Sequence, residues 1–93
     1  MSAAAEALLR ALCPQATAGR ATSRPWASAD MWGERHRFEL TLSEQAADSL
    51  LDGLGERQFA LNDHIVADIA LVARERTSGE VRVVIDALTI APD

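Results

Sequence analysis

A chain of 93 residues, 48% of them apolar, is the size of one globular domain and argues against both disorder and a second domain. Its net charge of −5 argues against a phosphate-backbone partner, which needs clustered Lys and Arg. Its single cysteine, Cys13, excludes an internal disulfide and points to a reducing compartment. Residues 1–42 carry five Arg against four acids, and residues 43–93 carry four Arg against ten. There is no Lys, a bias that suggests a GC-rich, bacterial coding sequence. Only Trp26, Trp32, Phe38 and Phe59 are aromatic, so the core is expected to be built from Leu, Ile, Val and Ala.

Residues 2–12 read as a helix. Ser2 suits the N-cap, and Ala4, Ala7, Leu8, Ala11 and Leu12 form one apolar stripe at helical spacing. Pro14 ends it. Glu6 and Arg10 interrupt the apolar stretch, so it does not read as a signal peptide, and it is too short to cross a bilayer. A cytoplasmic protein with no membrane partner is expected by elimination. Cys13, beside a proline at a helix end, reads as packing rather than as a nucleophile. Residues 15–24 read as a loop or linker.

Residues 25–32 and 35–42 read as a β-hairpin turning around Gly33. In the second strand His36, Phe38, Leu40 and Leu42 alternate with Arg35, Arg37, Glu39 and Thr41, the pattern of a half-buried strand. The register of the first strand stays open. Residues 44–54 read as a second helix, with Ser43 as N-cap and Glu44 in its first turn. Ala47, Leu50, Leu51 and Leu54 form its stripe. Gly53 weakens its last turn, and Gly55 is placed as the left-handed residue beyond its end.

Residues 58–75 read as extended, with a bulge or turn at Asn62 and Asp63. The stretch 64–74 is expected to pair with 80–90 around a three-residue loop, Thr77-Ser78-Gly79. That register sets Arg76 opposite Glu80. It aligns Ile65, Ala67, Ile69, Leu71 and Ala73 with Val81, Val83, Ile85, Ala87 and Thr89, a face wholly apolar but for Thr89. The element order is α-β-β-α-β-β. The expected fold class is α+β, a two-layer sandwich with an antiparallel sheet of two hairpins in a single domain.

The opposite face of the second hairpin carries Val66, Asp68, Ala70, Val72 and Arg74 against Arg82, Val84, Asp86, Leu88 and Ile90. Val66, Val72, Val84, Leu88 and Ile90 are too many apolar residues for a solvated face. They are the candidate interface. Either the stripe of the first helix covers them, or a second copy or another protein does, and a homodimer is the favoured partner.

Two sets of residues suggest chemistry. Asp86 opposite Ala70 makes Asp68 its diagonal neighbour, and two carboxylates in apolar surroundings can divide acid and base roles or hold a hard cation. Alternatively both are surface charges that discourage edge pairing, neutralised by Arg74 or Arg82. A three-residue loop in the first hairpin would set Asp30 opposite His36, an arrangement that orients an imidazole for general-base work, although no Ser or Cys is visibly poised beside it. Otherwise His36 is a structural histidine. His64 could complete a polar cluster, but the spacing makes no zinc site, and no cofactor or metal is implied. Arg20, Arg24, Arg35 and Arg37 near Trp26 and Trp32 have the chemistry to stack single-stranded nucleic acid, against which Asp30, Glu34 and Glu39 stand. No phosphate loop, CxxC, HExxH or GxSxG motif is present. The expected function is therefore a non-catalytic interaction or self-associating module. The alternative is a small enzyme or a ligand- or metal-binding protein with an acidic or Asp–His site.

Overall fold

The computed structural model describes residues 2–13, 18–61 and 63–91. The elements follow the expected order: α1 (Ala3–Leu12), β1 (Ala18–Ala27), β2 (Trp32–Leu42), α2 (Glu44–Leu51), a 3₁₀ turn (Leu54–Glu56), β3 (Ile65–Thr77) and β4 (Glu80–Ile90). The fold is mixed α+β. Its four strands form one antiparallel sheet in the order β1-β2-β4-β3.

Both helices begin as the sequence indicates. The Ser2 hydroxyl accepts from the Ala5 N–H and the Ser43 hydroxyl from the Ala46 N–H, each at 3.1 Å, which satisfies a free donor of the first turn. α1 buries Ala4, Ala5, Leu8 and Leu12, and α2 buries Ala47 and Leu50. α2 is shorter than its apolar stripe. Gly53 takes the left-handed conformation at φ 64°, and the chain tightens into the 3₁₀ turn that buries Leu54. The left-handed residue is therefore Gly53 and not Gly55, which has no positive φ.

The first hairpin turns earlier than expected. Residues 18–24 are not linker but the first part of β1, and the reversal lies at residues 28–31, where the Ser28 N–H donates to the Met31 carbonyl at 2.8 Å. Residues 14–17 and Asn62 lie outside the described residues. The polar composition of β1 is that of an edge strand, the position where Pro25, which has no N–H, is tolerated.

Gly33 sits inside β2 rather than at a turn. A Cβ there would lie 1.9 Å from the Thr89 carbonyl oxygen of β4. The glycine permits a close backbone approach. Trp26 pairs with Gly33 across the strands, and its indole N–H reaches over to donate to that same Thr89 carbonyl at 3.3 Å.

The second hairpin also departs from expectation. Its loop has two residues, Ser78 (φ 39°) and Gly79 (φ 84°), the paired positive φ of a type I′ turn whose twist matches that of the strands. Thr77 therefore faces Glu80, and Arg76 faces Val81 rather than Glu80. In the middle of the ladder the expected pairs form: Leu71 with Ile85, Ala70 with Asp86, Ile69 with Ala87. Between these regions β3 carries two irregularities, one between Val66 and Asp68 and one between Leu71 and Ala73. Each inserts one residue, and each exchanges the faces of everything beyond it.

The exchange has two effects. At one end Val66 pairs with Thr89 and packs against the core, so it does not belong to the opposite face as the sequence suggested, while Ile65 is 63% exposed. At the other end Arg74 and Arg76 share a face with Val83 and Val81 and reach α2, where they pair with Asp48 at 2.8 Å and with Glu44.

One core holds the elements together. Leu8 and Leu12 of α1 and Leu50 of α2 meet Phe38, Leu40 and Leu42 of β2 and Val81, Val83 and Ile85 of β4. Phe59 and Leu61 pack against this cluster from the segment before β3. Burying a side chain such as Leu8 stabilises the fold by about 1.5–3 kcal/mol. Both helices thus cover the same face of the sheet. The expectation that α1 might cover the other face is not met, and among the described residues no helix covers it. No helix among them is long and apolar enough to cross a membrane.

Candidate functional site on the bare sheet face

The strand pairings set the side chains of the bare face in cross-strand rows, read from β1 through β2 and β4 to β3. The first row is Trp26, Gly33, Ile90 and Ile65. The second is Arg24, Arg35, Leu88 and Asp68, and the third is Thr22, Arg37, Asp86 and Ala70. The fourth is Arg20, Glu39, Val84 and Ala73, and the fifth ends in Thr41, Arg82 and Glu75. The second and third rows line a shallow depression of about 340 Å³.

Charge leans one way on each half of this face. Arg20, Arg24, Arg35 and Arg37 stand with Glu39 on β1 and β2, and Asp68, Glu75 and Asp86 stand with Arg82 on β3 and β4. In the centre Arg37 grips Asp86 with two parallel bonds, Nε to Oδ1 at 2.8 Å and Nη2 to Oδ2 at 2.9 Å. The hydrogen bond from Arg37 holds the Asp86 carboxyl below its ordinary value and raises the guanidinium. Arg82 bridges Glu39 and Glu75. Val84 lies between these two ion pairs and is only 6% exposed, whereas Leu88 and Ile90 are half-buried. Val72 is 50% exposed beside the second bulge.

Arg24 and Arg35 stand directly opposite each other, and neither forms an ion pair among the described residues. Like charges facing across strands are unfavourable. Asp68 is in the same row, on the far side of Leu88, and is also without an ion-pair partner among the described residues.

Asp68 and Asp86 are diagonal neighbours as the sequence indicates. Asp86 is engaged by Arg37, whose hydrogen bond lowers its carboxyl, so the partner of Asp86 in this structure is Arg37 and not Asp68. The described residues hold no group of three or more His, Cys, Asp and Glu side chains placed to bind a metal. Trp26 shares the bare face with the four arginines, while Trp32 has the opposite parity.

The Asp30–His36 pair does not form. Asp30 is exposed in the first turn, which has one residue more than a three-residue loop, and the partner across from His36 is Ser23. His36 lies on the helix-covered face, 2% exposed and stacked on Phe38 at 5.8 Å. Its Nδ1 is hydrogen-bonded to Ser23 Oγ and its Nε2 to Thr89 Oγ1, both at 2.8 Å. Burial lowers the imidazole's affinity for a proton; Glu34 opposes this and His64 adds to it. A serine does therefore touch the imidazole, contrary to expectation. The third member is a neutral hydroxyl, which cannot hold an imidazolium as a carboxylate would. This chain satisfies a buried polar group. Its signal in the sequence was Thr89, the lone polar residue on an otherwise apolar strand face.

Comparison with known proteins finds no matching family model, no matching curated protein and no matching solved structure.

Proposed function

We propose that this protein is a non-catalytic self-associating module, with its helices as one layer, its sheet as the second, and the bare sheet face as the surface through which a second copy docks. The observation that carries the reading is the placement of both helices on one face of the sheet. The other face is left with Leu88, Ile90, Ile65 and Trp26 beside two unpaired arginines. Ile65 is 63% exposed there and Trp26, Leu88 and Ile90 are half-buried, so covering this end of the face removes apolar surface from water. The area fits as well. Four strands about 4.8 Å apart and ten residues long present roughly 600 Å² per copy, or roughly 1,200 Å² for two, the lower bound of a specific interface.

Sedimentation equilibrium of the full chain between 1 and 200 μM tests this. A concentration-dependent dimer that Leu88→Arg dissociates is the expected result. A monomer throughout that range, equal in mass to the variant, overturns it.

A further inference from the structure

We infer that the two copies are related by a two-fold axis running parallel to the strands, so that Arg24 of each copy takes Asp68 of the other as its partner. This rests on the self-association reading above.

The rows of the bare face decide between the two ways of stacking it on itself. A two-fold parallel to the strands lays β1 over the partner's β3 and β2 over the partner's β4, and it keeps each row over itself. Arg24 then faces the second copy's Asp68, and Arg35 faces its Leu88. In the first row the Trp26 indole lies across Gly33 toward β4, so Trp26 and Ile90 of one copy meet Ile65 and Trp26 of the other. No like charges superpose. Arg24 and Asp68, which form no ion pair within one copy among the described residues, each find an opposite charge in the other.

A two-fold perpendicular to the strands keeps each strand over itself and inverts the rows. About the central third row it stacks Arg37 on Arg37, Arg24 on Arg20 and Ile90 on Arg82. Like-charge juxtaposition of this kind opposes association. Facing sheets lie about 10 Å apart, a gap that an Arg reaching toward an Asp can span. Their mutual rotation of about 30° shifts positions on the edge strands β1 and β3 by about 4–5 Å, a shift that the long, exposed Arg24 side chain can follow.

Sedimentation equilibrium on wild type, Arg24→Asp, Asp68→Arg and the double variant tests the arrangement. Both positions are solvent-exposed, and circular dichroism verifies that each variant is folded. Each single reversal sets two like pairs face to face in the dimer and is expected to weaken it about tenfold or more. The double reversal restores the pair and is expected to return the dimer to within about threefold of wild type, with the single-variant defects shrinking at 1 M salt. If wild type dimerises but a single reversal leaves its dissociation constant unchanged, or the double is no tighter than the singles, this axis is wrong and the broader reading survives. If wild type stays monomeric up to 200 μM, both fall.

Discussion

Gly33 and Thr89 approach so closely across β2 and β4 that there is no room for a methyl group between them: a Cβ on Gly33 would lie 1.9 Å from the Thr89 carbonyl oxygen. The indole of Trp26 donates to that oxygen from the next strand over. The glycine therefore sets the separation of the two central strands at one end of the sheet. Gly33→Ala forces backbone apart from backbone and is expected to lower stability by about 2–3 kcal/mol, in the range of core overpacking. Urea unfolding measures this. In a Trp32→Phe background the fluorescence of Trp26 should also shift as its hydrogen bond is lost.

His36 makes stability depend on pH. Burial holds its native pKa below the unfolded value of 6.5. The unfolded chain thus takes up this proton first, and acid favours unfolding. The contribution of His36 is complete above the unfolded pKa, and it declines as pH falls from about 6.5 toward the native value. The urea midpoint should accordingly fall between pH 7 and pH 5 more steeply for wild type than for His36→Gln. His36→Ala, which strands the hydroxyls of Ser23 and Thr89, is expected to lose about 1–3 kcal/mol at pH 7.5. Equal slopes for wild type and His36→Gln would show that the imidazole takes up its proton equally in the folded and unfolded states.

The Ser78-Gly79 turn is sensitive to backbone chemistry because both residues have positive φ. Asn tolerates this region better than Ser, so Ser78→Asn should stabilise the protein by about 0.5 kcal/mol. Gly79→Ala should destabilise it by about 1 kcal/mol or more. Thermal midpoints moving in opposite directions verify the type I′ geometry. A three-residue loop would leave position 78 indifferent.

Leu8 is fully buried where α1 meets the sheet. Leu8→Ala opens a cavity there and should reduce stability by about 2–5 kcal/mol. If α1 docks on its own chain, that loss is independent of protein concentration. A loss that shrinks on concentrating the sample would mean that the helix is exchanged between copies.

The order of elements was legible because each helix has a capping serine and an apolar stripe, and because β2 and β4 alternate in step with burial. β1 was harder to see. Gly19, Arg20, Thr22, Ser23 and Arg24 have the composition of a loop, and they are extended only because β2 lies alongside. Without that strand Gly33 reads as the turn, and nothing in the sequence sets the hydroxyl of Ser23 beside His36. The register of the second hairpin was legible only at its centre. A sequence read with a strict two-residue period cannot show the extra residues in β3, and those residues decide that Arg74 and Val66 face the helices. The diagonal relation of Asp68 and Asp86 lies between the bulges and was read correctly. The division of charge across the bare face depends on β1, so it became visible only in three dimensions.

The two extra residues in β3 also affect how the protein behaves in concentrated solution. A strand arriving from another molecule needs a straight run of donors and acceptors, and an interrupted ladder does not offer one. On the far margin Pro25 withholds a donor from β1. Lateral growth into ribbons is thus discouraged at either border, and in the proposed face-to-face dimer nothing further adds once two molecules have met. Concentrated solutions of this chain should stay clear where an open-edged sheet would gel.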